Sequence, residues 1–117
     1  MAVTIGSDRA NKRHWSMWEE CGIQFRSNLV EQGGVIPLHE HSYDHVALVT
    51  HGVFRCETTG PEGETEAFIV SSRDFAAPES RGYRVVIPKW WRHTFTLLES
   101  RNQPGEVLCM WPDGADK

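Results

Sequence analysis

The sequence predicts a single all-β domain, built as an antiparallel sandwich or barrel. Three observations carry this. The chain has 117 residues, which is one domain's worth and enough to bury a core without disulfide staples. Its apolar runs are short and are punctuated at regular spacing by Gly, Pro, Ser and Asp, the pattern of many short strands. Nowhere does a long stretch carry the 3.6-residue period of an amphipathic helix, and no internal repeat or low-complexity stretch intervenes.

Strands are expected at Ile23–Val30, Val35–His39, His45–Thr50, Val53–Thr59, Glu64–Val70, Tyr83–Ile87, His93–Glu99 and Val107–Trp111. Thr50-His51-Gly52 closes one of them, with Gly supplying the backbone angles of a tight return. Gly60-Pro61-Glu62-Gly63 links the next pair as a hairpin. Residues 1–18 carry little period-two pattern and read as an N-terminal arm, with the barrel domain over 19–117. Trp15, Met17 and Trp18 in that arm, with Trp111 near the other end, are too apolar to be left in water. They are expected to pack on the barrel or to bury themselves in a homodimer.

Net charge of −4 argues against a nucleic-acid partner, which would need a basic face. Arg9, Lys12, Arg13 and His14 form the densest basic cluster and read as a solvated segment. No apolar run has signal-peptide or membrane-spanning form, so a cytoplasmic protein with no membrane partner is expected. Cys21, Cys56 and Cys109 are odd in number and far apart, which points to reduced, partly buried thiols.

The chain has six histidines, and three of them are His39, His41 and His45. In a strand, residues i and i+2 share a face, so His39 and His41 point the same way. His45 has the same parity, and a bend at Ser42-Tyr43-Asp44 brings it beside them. Any one of these alone reads as a surface or hydrogen-bonded histidine. Three imidazoles on one face read as ligands of a metal, because unmetallated they would repel one another on protonation.

The segment Gly33-Gly-Val-Ile-Pro-Leu-His39-Glu-His41-Ser-Tyr-Asp-His45-Val-Ala-Leu-Val-Thr-His-Gly52 resembles the first motif of the cupins, with His45 where that family usually has Glu. Gly82-Tyr-Arg-Val-Val-Ile-Pro88-Lys-Trp-Trp-Arg-His93-Thr-Phe-Thr-Leu97 resembles the second. There Trp90 stands for the usual second Gly and Leu97 for the usual Asn. The resemblance implies the cupin double-stranded β-barrel, jelly-roll-like, with His93 as a fourth ligand. Small single-domain cupins with four histidine ligands are the subset that this chain is similar to. His51 lies six residues from His45, about 20 Å along a strand, too far to share the ion. His14 sits in the expected arm and is not expected to have a metal role.

Four neutral imidazoles would leave one divalent transition metal (Fe, Mn, Ni, Cu, Co or Zn) with its formal charge intact, favouring anionic oxygen donors. Tyr43, Phe54, Trp91 and Phe95 are expected to wall the substrate pocket, with Phe25 and Cys56 further candidates. Trp90 and Trp91 would cover its mouth. Glu40, Asp44 and Glu99 are candidates to fix a ligand's tautomer. Arg26, Arg84 and Arg92 are candidates to hold a carboxylate, although surface positions suit each. The expected function is a metal-dependent cupin enzyme acting on a small oxygen-donor molecule by dioxygenase or oxidative-cleavage chemistry. A non-catalytic metal- or metabolite-binding sensor is one alternative, and a metal-dependent isomerase or lyase is another; fold alone does not choose.

Overall fold

The computed structural model describes residues 2–115; Met1, Asp116 and Lys117, at the outer ends of the expected arm and barrel, lie outside the described residues. Ten strands follow one another: β1 (Thr4–Asp8), β2 (Arg13–Glu20), β3 (Ile23–Val30), β4 (Val35–His39), β5 (His45–His51), β6 (Val53–Thr59), β7 (Thr65–Ser71), β8 (Arg84–Ile87), β9 (Arg92–Glu99) and β10 (Gly105–Pro112). A single 3-10 turn at Arg9–Asn11 separates the first two. No described helix is long and apolar enough to cross a membrane.

The strands form two antiparallel sheets, one in the order β1-β2-β3-β10-β5-β8 and one in the order β4-β9-β6-β7. Alternation along each strand decides what enters the space between them. Ala47 and Val49 on β5, Val30 on β3 and Val107 on β10 meet Ile36, Phe54, Phe95 and Val70 of the facing sheet. This is the jelly-roll-like all-β architecture that the resemblance implied.

Residues 4–20 are not an arm. They are two full members of the larger sheet, with β2 paired to β3 from Arg13↔Val30 to Glu20↔Ile23. Cys21 and Gly22, with φ of 53° and 76°, make the two-residue hairpin between them. Two things hid this strand. Its turn lacks the usual Asn-Gly or Asp-Gly signal, and its apolar residues fall on both faces. Trp15 lies against Gly6, where an added Cβ would sit 2.3 Å from the indole, while Trp18 stacks on Phe25 at 5.3 Å. Trp111 is only 7% exposed. Most of the apolar surface that suggested a second subunit is therefore covered within one chain.

Two turns, one at each end of the barrel, fix the strands that carry the site. Gly52 has φ 104°, and its Cβ would meet the Glu99 carbonyl at 2.9 Å, so the β5–β6 return needs glycine. Trp90 itself adopts φ 68°, the left-handed conformation that glycine takes most easily. Its N–H donates to the His41 carbonyl at 2.8 Å, so the second motif's turn holds the first motif's loop.

The β4–β9 pair carries an irregularity of direct consequence. Ile36 pairs with Phe95 and His39 with His93, so three residues on one strand match two on the other. This bulge reverses the parity of β4 between Ile36 and His39. Ile36 is buried and Leu38 is 50% exposed, yet His39 joins His93. The Thr94 hydroxyl donates to the Ile36 carbonyl at 2.7 Å and steadies the pairing there.

Candidate metal centre

The end of β4, the loop that follows it, the start of β5 and the start of β9 bring four imidazoles together. Ring centroids of His39 and His93 are 4.1 Å apart, and those of His39 and His41 are 4.8 Å apart. His45 lies 5.0 Å from His41 and 5.1 Å from His93. Ring nitrogens of His39, His41 and His93 all fall within 4.8 Å of one another. His45 is outside that tightest set, but both of its ring nitrogens are buried without a hydrogen-bond partner among the described residues.

The hydrogen bonds assign the tautomers. The Nδ1 of His39 faces the Pro37 carbonyl at 2.7 Å, and the Nδ1 of His93 faces the Trp91 carbonyl at 3.0 Å. A carbonyl only accepts, so each Nδ1 carries the proton and each Nε2 keeps its lone pair. Burial drives His41 down to about 4, with the neighbouring His39 adding to the shift. Burial, then His93 and His41, takes His45 down to about 3. His93 falls to about 4 through burial and His39, and His39 is lowered chiefly by burial. All four rings are thus neutral near neutral pH, the form that ligates a cation. A buried, neutral, partly unpaired imidazole cluster fits a transition metal, since nothing else present satisfies His45.

Beside the cluster lies a cavity of about 230 Å³ whose wall includes His39, His41, His93, Phe95, Trp111 and Arg26. It is smaller than the roughly 300–1,000 Å³ of a drug-sized pocket, so it suits a small molecule. Of the expected pocket residues, Phe95 faces this cavity. Tyr43 stacks on His41 at 4.8 Å and on Trp111 at 5.1 Å, propping the site from its flank. Phe54 is fully buried in the core and does not line the cavity, and Cys56 is likewise core. Trp91 packs partly against that core and acts through its carbonyl. Phe25 points to the opposite face of its sheet, because it is one residue out of phase with Arg26.

None of the three carboxylates expected to fix a ligand does so among the described contacts. Asp44 accepts from the Lys89 N–H at 2.7 Å, and Glu40 and Glu99 are exposed. Backbone carbonyls take that role, which residue types alone could not signal. Arg84 and Arg92 are exposed, and Trp90 is 51% exposed. His51 bonds with Arg101 and approaches Asp74 at 3.4 Å, a set of partners separate from the cluster. His14 faces Glu31 at 3.6 Å.

No protein-family model and no curated protein sequence matches the chain. Solved structures do match it. An oxalate decarboxylase variant from Bacillus subtilis aligns with a TM-score of 0.71 at 16% identity, over 92% of this chain and 27% of that one. An oxalate oxidase structure aligns at 0.71 and 13% identity, over 92% and 54%. A further Bacillus subtilis oxalate decarboxylase structure, studied for its Mn(II) centres, aligns at 0.70 and 16%, over 89% and 26%. The chain spans between about a quarter and about half of these proteins' lengths. They are cupins, and this chain has a cupin-type fold.

Proposed function

We propose that the chain is a metal-dependent cupin enzyme acting on a small oxygen-donor organic molecule, with oxidative cleavage or another dioxygenase reaction as its chemistry. His39, His41, His45 and His93 are the proposed ligands of one divalent transition metal. The observation that carries this reading is the cluster of neutral imidazoles, with His39, His41 and His93 on the cavity wall and His45 beside them with both ring nitrogens unpaired. Imidazole donors accept Mn, Fe, Co, Ni, Cu and Zn. The Mn(II) centres of the oxalate decarboxylase neighbour make Mn(II) the first ion to test.

Such an ion, when bound, supplies Lewis-acid polarisation of an oxygen donor and, where redox-active, a route for electrons. The chain's own residues prepare the site. The Pro37 and Trp91 carbonyls hold the Nδ1 protons of His39 and His93 and leave Nε2 free. Ile36 and Phe95 make one wall apolar and exclude water from that side. With no carboxylate among the proposed ligands, the site draws anions more strongly than a three-histidine, one-carboxylate site would.

The test is metal analysis of protein purified without added metal, then oxygen uptake and carbon dioxide release with a panel of small organic acids. Metal-dependent oxygen consumption supports the proposal. Because a decarboxylase and an oxidase both share the fold, redox-neutral cleavage is the second reading, and carbon dioxide release without oxygen uptake would select it. Metal binding with no turnover of any acid would leave a binding or sensor role.

A further inference from the structure

The inner face of β3 and β10 holds three buried polar groups that no described residue satisfies. They are the Nε of Arg26, the Oδ1 of Asn28 and the Nε1 of Trp111, and all three residues line the cavity beside the histidines. Asn28 and Trp111 are 3% and 7% exposed. Arg26 and Asn28 are two apart on β3, and Trp111 is two beyond Cys109, the direct partner of Arg26. The three side chains therefore share a face, with Arg26 between Asn28 and Trp111.

Their polarity is assigned. Asn28 Nδ2 donates to the Val107 carbonyl at 3.3 Å, which orients the amide and leaves Oδ1 as the unpaired acceptor. Arg26 and Trp111 offer only donors. Arg13 also lines the cavity, but it is paired with Asp8 at 3.2 Å. Arg26 instead lies over Trp15, 4.9 Å from the ring centroid, with its Nε left over. Leaving three such groups unpaired is costly unless a ligand pairs them.

We infer that this wall is the recognition surface for a small hydroxycarboxylic acid, with Arg26 and Trp111 donating to the carboxylate and Asn28 accepting from the hydroxyl. The inference deepens the metal-enzyme reading by naming its substrate class, and it rests on that reading for the ion on the opposite wall. Arg26 is assigned as a substrate-binding residue.

Calorimetric titration of the full chain near neutral pH tests it, both Mn(II)-loaded and chelator-stripped. The probes are lactate, propionate (hydroxyl removed) and lactamide (charge removed). Wild type should prefer lactate over each of the others by about tenfold or more. Arg26→Gln should lose roughly 10- to 100-fold in lactate affinity, with lactamide binding and metal content unchanged. Asn28→Leu should abolish the preference for lactate over propionate. Arg26→Lys, which keeps the charge, should retain a preference for lactate over lactamide. Equal lactate binding by wild type and Arg26→Gln, or no preference for lactate in wild type, would overturn the inference while leaving the metal reading intact. Failure to load Mn(II) or any other divalent metal would instead sink the metal reading, and an Arg26-dependent preference in the stripped protein would still support the recognition wall.

Discussion

His39 and His93 face each other across β4 and β9 with ring centroids 4.1 Å apart, although two residues of β4 and only one of β9 lie between them and the Ile36–Phe95 pair. In a regular ladder the same sequence would turn Leu38 inward opposite His93 and send His39 to the other side. The bulge reconciles a buried Ile36 with an inward His39, and its Pro37 carbonyl then fixes the ring's tautomer. One local irregularity thus sets both the position and the protonation of a candidate ligand.

Phe54 belongs to the core and not to the cavity wall. It is fully buried and meets Phe95 edge-on at 6.3 Å. Phe54→Ala should cost about 3–5 kcal/mol of stability in urea unfolding, with the folded protein keeping its metal content. A loss below about 1 kcal/mol would mean that the ring is not core.

The thiols should differ sharply. Burial raises Cys56 to about 12, and burial raises Cys109 to about 12 as well, while Cys21 is exposed. The thiolate is the nucleophile, so at pH ~9 only about one in a thousand of Cys56 or of Cys109, which is half-buried, is thiolate. Alkylation of native protein should label one cysteine per chain, and all three after unfolding. Because both folded values lie above the unfolded one, the cysteine contribution to stability holds below about pH 9 and is lost as pH rises toward about 12. Mass spectrometry reads the first effect and thermal melts the second. Rapid native labelling of Cys56 would contradict the packing.

Much of this was legible in the sequence. Regular punctuation by Gly and Pro marked eight strands from Ile23 onward, to within a residue or two at most ends. The spacing of His39, His41 and His45 marked a shared face. What escaped had physical reasons. β2 carries Trp15 and Trp18 on opposite faces, which erases the alternation. Asn28 was missed, and Arg26, a candidate to hold a carboxylate, suited a surface position equally well, because a polar wall inside a barrel has no signature of its own. Trp90 at a positive φ is a conformation that only the resemblance to a glycine position suggested. Carbonyls as tautomer-fixing groups have no residue type to betray them.

Of the apolar residues near the termini, Trp18 belongs to a row that is a candidate face for the expected homodimer. Trp18, Phe25, Met110, Val46 and Val86 are successive cross-strand partners over five strands, forming one apolar row on the outer side of the larger sheet. Val86 is 59% exposed. We propose that a second copy covers this row. Sedimentation should give twice the 13.3 kDa chain mass, and Phe25→Glu should give the single-chain mass with metal content retained. A monomeric wild type at micromolar concentration would contradict the proposal.

His45→Glu should preserve metal binding, because a carboxylate oxygen is also a ligand, and should lower the charge at the site by about one unit. Oxalate titrated against both fully metallated proteins should then bind more weakly to the variant. Equal or tighter binding would show that neutral ligation does not set the site's preference for anions.

The central claim is that His39, His41, His45 and His93 hold one ion. Elemental analysis of wild type and the four single His→Ala variants, after equilibration with limiting Mn(II) and with Fe, Co, Ni, Cu or Zn, tests it most directly. The account expects one equivalent per chain in wild type. It expects clear losses of affinity in His39→Ala, His41→Ala and His93→Ala, and a measurable loss in His45→Ala, while His51→Ala stays at the wild-type level. Full occupancy and unchanged affinity in His93→Ala, the residue that only the β4–β9 pairing brings to the cluster, would contradict it.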